Sequence, residues 1–148
     1  MSVQLSGPHE LRLRTSGRGL HELTAELRRL TASSGIASGQ AQLFVHHTSC
    51  SLIVGENADP DVQADTLAYF ERLVPDGDPR YAHSAEGPDD MAAHLRSMLT
   101  ATSLALPIRA GALDLGTWQG VFLFEHRTSA HVRRLSLTLL GSADRTPS

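Results

Sequence analysis

His83-Ser84-Ala85-Glu86-Gly87-Pro88-Asp89-Asp90-Met91-Ala92-Ala93-His94-Leu95-Arg96-Ser97-Met98-Leu99 is the stretch around which the chain is organised. Gly87-Pro88 interrupts the backbone, and Pro88 suits the first turn of a helix, where its missing N–H leaves no bond unmade. Met91, Leu95, Met98 and Leu99 then recur at helical spacing. Asp90 and His94 are four apart and share one face of that helix, while His83 and Glu86 sit in the loop before it. Carboxylates and imidazoles at a positively polarised helix end suit a metal ion, an anion or a proton relay. A capped helix start with a hydrogen-bonded histidine would use the same residues.

Working outward, the segment before this stretch, Pro75 to Pro79, is a loop. Asp59 is placed to cap a helix whose first residue is Pro60, with Val62, Tyr69, Phe70 and Leu73 packed on one face. The acids around Asp59 lack the spacing of a calcium-binding EF-hand loop. Gln40 to His46 and Leu52 to Val54 read as strands on either side of His46-His47-Thr48-Ser49-Cys50-Ser51. Leu20, Leu23, Leu27 and Leu30 predict a helix from about Gly19 to Ser33, and His9 to Thr15 alternates as a strand after the turn signal Gly7-Pro8. Downstream, Ser103 to Ile108 is a strand with Pro107 near its end. Leu113 to Leu115 and Val121 to His126 are expected to pair about the connection Gly116 to Gly120. Val121 to Phe124 is continuously apolar, as in a strand covered on both faces. Leu135 to Leu140 is the last strand, and Gly141 to Ser148 is expected to fray. This order predicts one α+β domain over residues 1–148: a layered sandwich of mixed or antiparallel sheet with packed helices.

The net charge of −3 gives no bulk attraction to nucleic acid or anionic lipid. All basic side chains are arginine, so lysine Schiff-base chemistry is excluded. Cys50 is the single cysteine, which forbids an intrachain disulfide and fits a reducing compartment. The first residues lack a basic-then-apolar leader and no run is long enough to cross a membrane, so a cytoplasmic location is expected.

Histidine carries the chemical signal, with eight in the chain. His47, His83, His94 and His126 lie at strand ends or in the central stretch and are the candidate ligands of a divalent cation, zinc or magnesium. His46 and His47 are adjacent on an extended segment, so only one of them faces a common centre. Glu56, Glu86 and His83 are candidates for proton transfer. Arg80 and Arg127 are candidate anion partners, or ion pairs with nearby carboxylates. The hydroxyls of Thr48 and Ser49 suit an oxyanion or a tied-down turn. Cys50 beside two histidines reads either as a thiol nucleophile or as a buried structural residue. Trp118 either walls a pocket or covers the core.

Several stretches together resemble the YjbQ-like proteins: His46 to Asp65, His83 to Leu95, Leu106 to Arg127 and Arg133 to Gly141. The family's His-Thr-Ser is similar to His47-Thr48-Ser49, its Gly-Thr-Trp-Gln-Gly to Gly116 to Gly120, and its Glu-His-Arg to Glu125 to Arg127. Its long acidic pattern is similar to His83 through His94, with Ala92 where a proline is usual; Gly55 stands where an asparagine is usual, before Glu56-Asn57. The resemblance implies a small α+β protein assembled as a homotrimer. It also implies a secondary thiamine-phosphate synthase activity on small phosphorylated molecules, in which a thiazole phosphate joins an aminopyrimidine pyrophosphate. Two other readings stay open: a metal-dependent hydrolase of a small phosphorylated compound, and a non-enzymatic trimer that binds a metal or small ligand.

Overall fold

A computed structural model describes residues 2–143. Its strands are β1 (Val3–Arg14), β2 (Gly19–Glu22), β3 (Ser38–Val45), β4 (Cys50–Glu56), β5 (Ser103–Arg109), β6 (Ala112–Leu113), β7 (Gln119–Glu125) and β8 (Val132–Ser142). Its helices are α1 (Thr24–Ser33), α2 (Pro60–Leu73) and α3 (Asp90–Leu99). One sheet runs β1-β8-β3-β5-β6 and the other β2-β7-β4. Every strand pairing among the described residues is antiparallel. The alternating residues Ala41, Leu43 and Val45 of β3 and Leu135, Leu137 and Leu139 of β8 meet Leu52, Val121 and Leu123 of the smaller sheet in one core. The α+β layered class holds.

β7 decides the arrangement. Gly120 to Glu125 is buried throughout, so its backbone needs partners on both sides. β4 supplies one side, from Cys50 opposite Glu125 to Glu56 opposite Gln119. Gly19 to Glu22 supplies the other, opposite Glu125 to Phe122. The helix expected from Gly19 therefore begins only at Thr24, and His21 lies on a strand. The leucine spacing that suggested a longer helix fits both forms over its first turn, and the open edge of β7 selects the strand. For the same reason the expected pairing of Leu113 to Leu115 with Val121 to His126 does not form. Ala112–Leu113 pairs with Ile108 and Arg109 of β5, and Gly116 to Gly120 crosses from one sheet to the other.

Two helices depart from their apolar pattern. In α3 the buried residues are Asp90, Ala92, Ala93 and Arg96, whereas Met98 is 74% and Leu99 59% exposed. The two alanines let the helix approach the sheet, and the Arg96 guanidinium donates to the Val74 carbonyl at 3.2 and 2.7 Å. α2 begins as expected, with the Asp61 N–H donating to Asp59 Oδ1 at 2.9 Å and Pro60 in the first turn. None of its residues is buried, however, and Phe70 reaches the sheet through an edge contact with Phe124, 5.2 Å between ring centres. Gly7-Pro8 marks a register shift within β1, between Ser6 and His9, and not a turn.

Candidate metal centre

Three consecutive residues at the end of β7 go to three places. Glu125 points between the sheets, where Arg133 Nε donates to it at 2.6 Å and Arg133 Nη2 makes a second, very short contact. Thr15 Oγ1 and the Arg127 N–H donate to the same carboxylate at 3.0 and 3.1 Å. Burial pushes this carboxyl up, and Arg133 more than reverses it, so the group stays below the ordinary carboxylate range. His126 turns to the opposite face and is fully buried against Phe124. Arg127 reaches out to the loop before α3.

There Arg127 braces the acidic helix start. Its Nε donates to Asp89 Oδ2 at 2.9 Å, its Nη1 to Asp90 Oδ1 at 2.8 Å, and its Nη2 to the Glu86 carbonyl at 2.9 Å. The Thr128 N–H adds a bond to Asp89 Oδ2 at 2.9 Å. Burial alone would raise the Asp89 carboxyl, but Arg127 and Thr128 outweigh it and hold the group at about 2. Asp90 is lowered as well: burial opposes its charge, and His83, His94 and Arg127 together favour it.

Asp90 is the hub. Its Oδ2 lies 2.6 Å from His83 Nε2 and 3.2 Å from His94 Nε2. Glu86 Oε2 lies 3.5 Å from His83 Nε2. One ligand atom from each of His83, Glu86, Asp90 and His94 lies within 4.8 Å of all the others. A tetrahedral ion with bonds of about 2.0–2.1 Å separates its ligand atoms by about 3.3 Å, close to the 3.2 and 3.5 Å contacts here, whereas His83 and Asp90, directly hydrogen-bonded at 2.6 Å, would part to admit it. His94 supplies a sharper test. Its Nδ1 lies 3.2 Å from the Thr48 carbonyl, which can only accept, so Nδ1 carries a proton. Its Nε2 faces the ionised Asp90 at the same 3.2 Å, so both ring nitrogens look onto acceptors that a single proton cannot serve. A proton or a metal cation between them removes that clash. A carbonyl that fixes the tautomer of a histidine from behind is the usual support of a metal ligand. Two imidazoles with one or two carboxylates suit zinc or a similar ion better than magnesium, which prefers all-oxygen shells.

The other expected site residues lie elsewhere. His126 is not brought to the cluster; its Nε2 is 2.8 Å from Ser51 Oγ and its Nδ1 is buried without a partner. Alternation along β7 places it on the same side as Phe122 and Phe124, one residue short of the loop that Arg127 reaches. His47 is outside the four as well, though it shares a cavity of about 560 Å3 with His94. Arg80 is bound to Asp78 at 2.6 Å on the surface. Arg127 is committed to Asp89, Asp90 and Glu86. Glu56 accepts the N–H groups of Ala58 and Asp59 at 3.2 and 2.9 Å, beside Trp118 in a separate hollow. Thr48 contributes its carbonyl and not its hydroxyl, and buried Ser49 accepts from Arg133 Nη2 at 3.0 Å. Cys50 is buried and its thiol is pushed up to about 12 by burial, which suits a structural residue and not a nucleophile. Sequence reasoning missed Asp90 as the centre of the group, although its spacing to His94 was the available signal.

His126 gives an acid-stability prediction. Burial, with Arg96, Arg18 and Arg133 nearby, depresses its imidazole from 6.5 to about 3. Above pH 6.5 neither folded nor unfolded chain protonates it, and its contribution is complete. Between 6.5 and about 3 only the unfolded chain takes up the proton, so each unit of falling pH costs about 1.4 kcal/mol. Unfolding free energies from urea titrations at pH 7 to 4 should fall with that slope, and H126Q should flatten it by about one proton. An unchanged slope in H126Q would show that the buried ring does not set it.

The family model described as UPF0047 protein YjbQ-like matches residues 9–142. A UPF0047 protein of Synechocystis, sll1880, is 50% identical over 127 residues, covering 86% of each chain. YjbQ of Salmonella typhimurium is 43% identical over 84% of this chain and 90% of its own. A crystal structure of a yjbq/upf0047 family protein from Clostridium acetobutylicum superposes with a TM-score of 0.82 at 31% identity, covering 88% of this chain and 98% of that one. The match runs through both sheets and the whole of the acidic cluster, and the chain belongs to the YjbQ-like UPF0047 family.

Proposed function

We propose that this protein is a cation-assisted transferase of the thiamine-phosphate-synthase kind, with His83, Asp90 and His94 as ligands and Glu86 as a fourth, exposed group. The observation that carries the reading is the convergence of His83, Glu86, Asp90 and His94, whose ligand atoms lie within 4.8 Å of one another. A diphosphate leaving group needs positive charge. Both candidate arginines are already held by carboxylates, which leaves the cluster as the place to supply it. A divalent ion bound there offers Lewis-acid compensation to a departing diphosphate. In the coupling, the thiazole nitrogen forms a bond to the methylene carbon of the pyrimidine as the carbon–oxygen bond to pyrophosphate breaks. Arg127 keeps Asp89 and Asp90 ionised, Thr48 aims the His94 ring, and His83 with Glu86 holds or moves a proton at the open side.

The hydrolase reading rests on a different feature, the 66% exposed side chain of Glu86, a carboxylate free to take a proton from water. Exposed Tyr69 and Leu73 of α2 and Leu99 of α3 favour a homotrimer in which they are covered. The full-length protein, loaded with zinc and then stripped by chelator, is assayed with both precursors. Pyrophosphate release should need both precursors and fall at least tenfold on stripping, in a particle of three 16.0 kDa chains by sedimentation. Unchanged coupling after stripping sinks the cation reading. Phosphate release from one phosphorylated compound alone favours the hydrolase, and ion binding with neither reaction favours a binding protein.

A further inference from the structure

His47 stands outside the cluster, and its hydrogen bonds give it another role. The Ser49 N–H donates to His47 Nδ1 at 3.1 Å, and Ser49 Oγ lies 2.9 Å from the same nitrogen. A backbone N–H can only donate, so Nδ1 is the bare nitrogen and Nε2 of the neutral ring carries the proton. Ser49 is held from behind: it is buried, and its Oγ accepts from Arg133, which is fixed on Glu125. His94 is set in the opposite sense by Thr48. His47 thus presents to the cavity an N–H that has no partner among the described residues.

The cavity they share is about 560 Å3, within the usual range for small-molecule sites, and Phe44, Val45 and Met98 form its apolar walls. Neither a carboxylate nor a guanidinium lines it. With His46, Thr48, Ser97 and Thr102 completing the lining, the apolar walls and the unpartnered N–H fit a flat group that carries a hydrogen-bond acceptor. We propose that this cavity is the subsite for a neutral heteroaromatic ring, with His47 Nε2–H donating to a ring nitrogen and Phe44 and Met98 against its faces. His47 is then a substrate-binding donor and not a metal ligand. The choice of an aminopyrimidine as probe rests on the transferase reading above.

The test titrates 4-amino-5-hydroxymethyl-2-methylpyrimidine, which carries no phosphate, into the full-length protein. Binding should saturate and be insensitive to chelator. It should weaken about tenfold in H47F, the loss of one good hydrogen bond, and about threefold in M98A; both positions are exposed, so the fold is kept. Nitrogen-15 histidine spectra should show His47 protonated at Nε2 and His94 at Nδ1. No saturable binding, equal binding in H47F, or a His47 ring protonated at Nδ1 overturns the subsite. His47-dependent binding without coupling of the two precursors removes the transferase reading and leaves the subsite. Coupling with His47-independent binding does the reverse.

Discussion

Replacing Glu125 by glutamine is expected to cost about 3–5 kcal/mol of stability, because it leaves the Arg133 charge buried without its counter-charge. Both side chains are at most 1% exposed. The carboxylate accepts four bonds, from Thr15, the Arg127 N–H and two Arg133 nitrogens, so nothing about it is spare. For a chain of 148 residues this corresponds to a fall in melting temperature of roughly 8–15 °C. The double variant E125L/R133M removes both charges together and should recover much of the loss, since a buried pair is often no more stable than apolar side chains of similar volume. Urea unfolding of the two variants decides the matter. A loss below 1 kcal/mol in E125Q would mean that water reaches Arg133, contrary to its burial.

Asp90→Asn is expected to lower zinc affinity by roughly 100-fold or more, because Asp90 is the one group in contact with both His83 and His94. The amide has nearly the same shape, and Asp89 still holds Arg127, so the fold should survive with a much smaller stability loss than E125Q. Glu86→Gln should cost less than tenfold, since its side chain is 66% exposed and it is Asp90, not Glu86, that joins the two imidazoles. Calorimetric titration of zinc into the three proteins gives the ranking. Equal affinity in D90N and the parent would place the ion somewhere other than the cluster.

Local chemistry is what made parts of this molecule legible in its sequence. Asp59 and Pro60 start α2 as written, because a cap and its first turn involve neighbours in the chain. The unbroken Val121–Phe124 run does read as a strand covered on both faces. Asp90 and His94, one helical turn apart, and His83 in the preceding loop also come together as their spacing suggested. What failed depended on distant partners. Nothing within Gly19 to Glu22 states that β7 lacks a neighbour. Met98 and Leu99 look like a core face until Arg96 is seen to turn inward toward Val74. His126 was expected as a ligand because it lies at a strand end, yet its ring turns away from the cluster to Ser51. The fixing of His94 by Thr48 uses a backbone carbonyl, which every residue has and no motif can display.

The three-way division at the end of β7 ties assembly of the centre to the correctness of the fold. A slip of β7 by one residue would send His126 into the place of Glu125, leaving Arg133 without its carboxylate, and would withdraw Arg127 from Asp89 and Asp90. A chain paired out of register thus loses its buried counter-charge and the brace of its acidic cluster in the same step. Register thus works as a single checkpoint, on which the buried ion pair and the geometry of the acidic cluster both depend.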